Sequence, residues 1–177
     1  MVAIRVSIAG ADTADGVEKW LPDWLMRVLR TTTLTCENRS ARKICMPTIK
    51  IAELDGEYAI VQLDATAELP GWWSGPGFGS VSRGDDELSI VCLADRVPGG
   101  VSKDGGWTAF KFIGPFAFGE TGIVLSVIRP LSENGVGIFL VSTFNGDYLL
   151  LKQYDVERSR GLLLEAGHEL VSLAPAF

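Results

Sequence analysis

Two short stretches hold the residues with chemistry to offer: FGETGI at 118–123 and STFNGDYLL at 142–150. A helix starting near Thr121-Gly122-Ile123 presents free backbone N–H groups and the positive end of a helix dipole, the groups that hold a carboxylate. Gly119 and Gly122 let a ligand approach that backbone closely, as an anion site at a helix start requires. Glu120 and Asp147 are the acids available to an ammonium group, through charge-assisted hydrogen bonds. Gly137, on a strand expected to oppose them, leaves room beside the main chain. The set suits a small zwitterion. Each member also has a plainer reading. Glu120 can be a surface acid favoured by the dipole, and Asp147 a solvated hairpin residue. Ser142 and Thr143 can be ordinary strand residues, and Gly137 a packing glycine. Their convergence at one end of one folding unit is what favours a site.

Other chemistry is poorly supported. The single histidine, His168, directly succeeds Gly167 and opens the final strand, which assigns it a structural or surface role. No Ser-His-Asp or Cys-His arrangement has the necessary spacing, so the chain does not read as an enzyme. GPGFG (75–79) and GPFAFGE (114–120) lack the Lys and Ser/Thr of a phosphate loop. Asp85-Asp86-Glu87 reads as a solvated hairpin turn rather than a metal site. Cys36, Cys45 and Cys92 are odd in number with no short paired spacing, which argues against a disulfide framework or a zinc site. Cys92, inside LSIVCL, reads as a buried thiol of a reduced, cytoplasmic protein. No cofactor and no metal are expected.

The net charge of −6 is unevenly spread: residues 1–47 carry 7 Lys/Arg and 5 Asp/Glu, residues 48–177 carry 9 and 17. The acidic larger part disfavours nucleic acid or an anionic membrane as partner. No apolar run approaches the roughly 20 residues of a membrane helix, and MVAIRVSIAGADTADG is a poor secretory signal.

The elements that must position these residues emerge from periodicity. Over 16–30, Trp20, Leu21, Trp24, Leu25, Val28 and Leu29 fall at helical spacing and define an amphipathic helix, docked on the core or, in a sharper reading, binding a partner or a membrane surface. TTTLTCENRSARKICMP is a connector. EYAIVQLD (57–64), GSVSR (79–83) and ELSIVCL (87–93) read as strands, with Trp72-Trp73 in a segment broken by Pro and Gly. WTAFKFI (107–113) alternates as a strand. TGIVLSVIRPLSENG (121–135) reads as a helix with Val124, Val127, Ile128 and Leu131 on its core face, Thr121 as N-cap, Gly135 as stop, and a distortion at Pro130. VGIFLVSTF (136–144) and DYLLLKQY (147–154) form a hairpin about Asn145-Gly146. A second helix spans 155–167, capped by Asp155 and Gly167, and HELVSL (168–173) closes the order β-α-β-β-α-β. That order is an α+β, ferredoxin-like split unit with both helices on one face of an antiparallel sheet. Residues 57–97 look like a shorter, degenerate copy. The expected domains are an extension over 1–47, a first unit over 48–104 and a second over 105–177.

In that order and spacing, EYAIVQLD, FGSVSRGDDELSIVC, FGETGI, the P-L-x-x-x-G-V before the strand, S-T-F-x-x-D-Y-L-L and LLEAGHEL resemble the tandem ACT-domain proteins. These are the proteins similar to the CASTOR-type arginine sensors and to the regulatory tail of aspartate kinase. The resemblance runs from about residue 48 to 173. It implies ACT units packed side by side, with a small amino acid bound between units. It implies contacts from Gly119, Glu120, Thr121, Gly122 and Ile123 facing Val136, Gly137 and Ile138, and a ligand side chain near Thr143, Phe144 and Asp147. Arginine is the first candidate it suggests, with lysine or another amino acid behind it. The expected behaviour is a homodimer, with strand 136–141 pairing with its counterpart in a second copy, and an output to a protein partner. The rival reading is a ligand-free ACT interaction module.

Overall fold

The computed structural model describes residues 3–6, 47–116 and 120–172. The amphipathic helix expected over 16–30 and its connector lie outside the described residues. Among the described residues, nine strands join one mixed sheet: β1 (Ala3–Val6), β2 (Lys50–Glu53), β3 (Tyr58–Leu63), β4 (Ser80–Arg83), β5 (Leu88–Leu93), β6 (Lys103–Ile113), β7 (Ile138–Thr143), β8 (Gly146–Lys152) and β9 (Glu169–Val171). Among the described residues there are two α-helices, α1 (Ile123–Glu133) and α2 (Val156–Glu165). Val127 and Leu131 of α1 and Leu163 of α2 share one buried cluster with Ile51, Phe110, Phe112, Ile138, Leu140, Leu149 and Leu151. Both helices therefore cover the same face of the sheet, as the α+β, ferredoxin-like reading requires.

The two repeats share a strand. In the order β6-β3-β5-β4, the first half of β6 serves as the fourth strand of the first unit: Tyr58 pairs with Trp107 and Val61 with Lys103. The second half of β6 is the first strand of the second unit, flanked by β8 and then β7. A domain boundary at 104/105 thus cuts through β6. The far side of that second half is taken by β2, from Lys50↔Ile113 to Glu53↔Phe110. The closing strand β9 lies outside it, parallel to β2. Residues 50–53 therefore belong to the sheet of the second unit, because an 11-residue strand is long enough to pair β2 and β3 end to end along one edge.

β1 runs antiparallel along β7, from Ala3↔Val141 to Val6↔Ile138. This corrects the expectation of an exposed 136–141 strand that pairs with a second copy. The chain's own N-terminal strand takes that edge, and Ile138 to Val141 are buried.

Both helices end in the same way. Gly135 (φ 72°) and Gly167 (φ 90°) adopt the left-handed conformation. Val136 N–H reaches Leu131 C=O and His168 N–H reaches Leu163 C=O, both at 3.0 Å, while each glycine N–H bonds Ser132 or Leu164. These are paired Schellman closures. Pro130 lies in the last turns of α1. It has no N–H to give the Ser126 carbonyl four residues back, and His168 Nε2 bonds that carbonyl instead, at 2.9 Å. His168 Nδ1 accepts from the Ile49 N–H at 3.2 Å. The buried imidazole is therefore neutral with its proton on Nε2, and it ties α1 to the entry of β2 and the entry of β9. The structural role expected of His168 has a specific cause: it replaces a hydrogen bond that Pro130 removes.

Candidate functional site

β6, α1 and the β7–β8 hairpin meet at one end of the second unit. Helix α1 starts there without a side-chain cap. Its N-cap is Gly122 at φ 88°, and no acid occupies its first turn. Thr121 is therefore not the cap. The residue bonded to Ser126 N–H through its carbonyl, at 2.8 Å, is Gly122, in a conformation that costs any L side chain about 1–2 kcal/mol. The first turn borders a cleft of about 570 Å³, lined by Phe116, Glu120, Gly122, Ile123, Val124, Leu125, Ile128, Ser142, Thr143, Phe144, Gly146 and Asp147.

Six of the expected residues meet in that cleft: Glu120, Gly122, Ile123, Thr143, Phe144 and Asp147. Gly119 lies outside the described residues, and Thr121 is exposed and not part of the lining. Val136, Gly137 and Ile138 are not part of it either. They lie beyond the C-terminal end of an 11-residue helix, so α1 separates them from Ile123 by about 16 Å at 1.5 Å per residue.

The hairpin differs from the expected one by one residue. Ser142 pairs with Asp147 and Thr143 with Gly146, which leaves Phe144-Asn145 as the two-residue turn instead of Asn145-Gly146. Side chains fix that register: Ser142 Oγ–H donates to Asp147 Oδ1, and Thr143 Oγ1–H donates to the Gly146 carbonyl at 2.7 Å. By strand alternation Ser142 and Asp147 lie on the helix-covered face with Leu140 and Leu149, which is how the acid comes to line the cleft.

The face that α1 buries is rotated from the expected one. Ile123, Ser126, Val127 and Leu131 are its buried residues. Val124 and Ile128 are only partly buried and line the cleft, next to Leu125, which is 49% exposed. The periodicity puts Val124 and Ile128 on the core face and gives no role to Leu125. An apolar residue off the buried stripe is the available signal. Phe116, in a glycine-rich loop with no period, carries none.

A cavity of about 620 Å³ between β2 and α2 surrounds Arg160 and Glu53, which pair with one another. Burial pushes the Cys92 thiol above its ordinary range, the opposite of a reactive nucleophile. Among the described residues, no group of three or more His, Cys, Asp or Glu is placed to hold a metal ion, and no helix is long and apolar enough to cross a membrane.

The second unit, a ferredoxin-like sheet with a helix start beside a hairpin, has the make-up of an ACT domain. A family model described as an ACT domain matches residues 102–163, and one described only as an N-terminal domain matches 56–100. The chain belongs to the same family as Atu0741 of Agobacterium tumefaciens. The two are 56% identical, over 74% of this chain and 98% of that one, with a TM-score of 0.69. The fold is also that of VC0802 of Vibrio cholerae, a protein of unknown function (13% identity, 67% and 90% coverage, TM-score 0.56). It recurs in aspartate kinase of Clostridium acetobutylicum, an allosteric enzyme (15% identity, 72% and 37% coverage, TM-score 0.53). No curated protein matches the chain.

Proposed function

We propose that this chain is a non-catalytic, cytoplasmic regulatory protein that binds a free amino acid at the start of α1 and passes its occupancy to a partner. The observation that carries the reading is that Glu120, Asp147 and the uncapped first turn of α1 line one cleft. The N–H groups of that turn suit the ligand carboxylate, and the two acids suit its ammonium group. The buried free thiol of Cys92 fits a reducing compartment. Occupancy alters the partner equilibrium only through the ligand's different affinity for the two states. The partner is a second copy of the chain or another protein, held elsewhere than on the covered β7 edge.

The resemblance puts arginine first among ligands, with Asp147 beside its side chain. A thermal-shift screen of the full chain over the twenty amino acids tests the reading. An amino acid at 100 times its Kd adds about 2.7 kcal/mol to stability. A flat screen sinks the sensor and leaves the ligand-free interaction module.

A further inference from the structure

We infer that the outer face of α2 pairs, antiparallel and about a two-fold axis, with the α2 of a second copy of this chain. The inference names the partner and its surface within the reading above, and it needs no ligand in the cleft. Helix α2 buries Val156, Ser159 and Leu163. At 3.6 residues per turn, the opposite side carries Glu157, Arg158, Gly161, Leu164 and Glu165, and all five are exposed. Three of them are unfavourable choices for a helix that faces only water. Gly161 sits mid-helix, where glycine is the poorest residue short of proline. Its φ is not positive and an added Cβ would meet nothing within 4 Å, so neither conformation nor crowding within the chain requires it. Glu165 puts a negative charge at the negative end of the helix dipole. No basic residue shares its turn, and it makes no ion pair among the described residues. Leu164 is 55% exposed.

A second α2 crossing antiparallel at Gly161 answers all three. The missing side chain lets two helix backbones approach closely. Side chains lean toward the N-terminus of their helix, so Leu164 of one copy leans into the notch that Gly161 leaves in the other, and its hydrocarbon is covered. Arg158 and Glu165 lie about two turns apart on one side of Gly161. Reversal about a two-fold axis at Gly161 sets Arg158 of each copy against Glu165 of the other, so the charge pattern is complementary to itself. Arg158 donates one guanidinium N–H to the Asn134 carbonyl at 2.7 Å and has further donors for a carboxylate. Glu157 on the same face is already paired with Arg160. A single helix pair buries less surface than a stable interface needs, so the dimer is weak and concentration-dependent.

Sedimentation velocity of the full chain over a concentration series tests the pairing. The parent protein should move from monomer toward dimer as concentration rises. Arg158→Glu and Glu165→Arg, each checked for folding by circular dichroism, should weaken self-association about tenfold, since each change acts twice in a two-fold pair. Mixing the two variants should restore dimers, because both cross-pairs are then of opposite charge. Leu164→Asp should weaken the parent dimer at least as much. A strict monomer at millimolar concentration overturns the inference. So does a mixture of the two charge variants that stays monomeric, or a dimer indifferent to all three substitutions. The thermal-shift screen reads the amino-acid site separately: a monomer that binds an amino acid overturns only the pairing, and a dimer that binds none overturns only the sensor.

Discussion

The two units share a strand plan and differ in the segment after their first strand. After β3 the chain closes on itself. Thr66 N–H and Oγ1–H both donate to Asp64, Ala67 N–H bonds the Asp64 carbonyl at 2.9 Å, and Arg83 caps the carbonyls of Ala65 and Ala67. In place of a first helix there is one 3-10 turn, Gly71–Trp73. Trp72 and Trp73 pack against the sheet cluster of Val61, Ile90 and Cys92. After β6, the equivalent segment leads into a full helix with no side-chain cap and a cleft beside it. The first unit has used its donors internally and filled its helix position with indole. The second keeps a helix start with no side-chain cap and a cleft beside it.

The sharpest way to break that comparison is to ask whether the halves are separate bodies. Phe112, fully buried in the second unit's core, should cost about 3–5 kcal/mol when replaced by Ala. Because β6 belongs to both units, calorimetry should show one transition moving down as a whole. Val61→Ala, in the first unit's core, should lower the same transition by less. Two transitions that respond separately would make the shared strand a seam, not a brace.

The next largest effect concerns a tie that holds the second unit together. His168→Leu leaves the Ser126 carbonyl and the Ile49 N–H buried without their partner, at about 1–3 kcal/mol each. In a Pro130→Ala background the restored N–H can take the Ser126 carbonyl. Denaturant titration of the four proteins should then show the His168→Leu cost reduced by about 1 kcal/mol. Additive costs would show that His168 does not substitute for the bond that Pro130 lacks.

Gly122 and Gly71 separate the halves by function. Gly122→Ala forces an L side chain into φ 88° at the helix start. It should cost about 1–2 kcal/mol and weaken any amino acid bound there at least tenfold. At Gly71 an added Cβ meets nothing within 4 Å. Gly71→Ala should stay within about 0.5 kcal/mol of the parent, with binding unchanged at one ligand per chain. A second ligand per chain, lost on changing Gly71, would restore the first unit as a site.

Legibility in the sequence depends on whether a signal is local. The glycine stops at Gly135 and Gly167, the α+β order and the strand runs are local, and they are legible. So are the acids of the cleft, since a helix start and a hairpin each declare themselves within a few residues. The insertion of β2 between β6 and β9 is not legible, because KIAE carries no mark of which strand it pairs with. Nor is the pairing of β1 with β7. The turn register is hidden for a subtler reason: Asn145-Gly146 is the stronger turn dipeptide, but the Ser142–Asp147 and Thr143–Gly146 side-chain bonds move the turn back by one residue. The slip from Val124 and Ile128 as core to Val124 and Ile128 as cleft wall is a rotation of α1 about its axis, which a hydrophobic stripe wider than about 100° does not fix.

The smallest effect belongs to the closed turn of the first unit. The Thr66 hydroxyl, and then the Thr66 amide, hold the Asp64 carboxyl below its ordinary value of 3.8. A folded value lower than the unfolded one means that the ionised form is the one the fold prefers. Its contribution is therefore complete above the unfolded value and is lost as pH falls through the folded one. The carboxyl is solvent-exposed, so the effect is confined to the acid limb and is small. Carbon-detected NMR titration should place the Asp64 midpoint below 3.8, and Thr66→Ala should move it back up. Asp64→Asn should flatten the stability–pH curve slightly below that pH and leave it unchanged near neutrality. An Asp64 midpoint at or above the ordinary value would mean that the turn is open in solution. A closed turn would then no longer distinguish the first unit from the second.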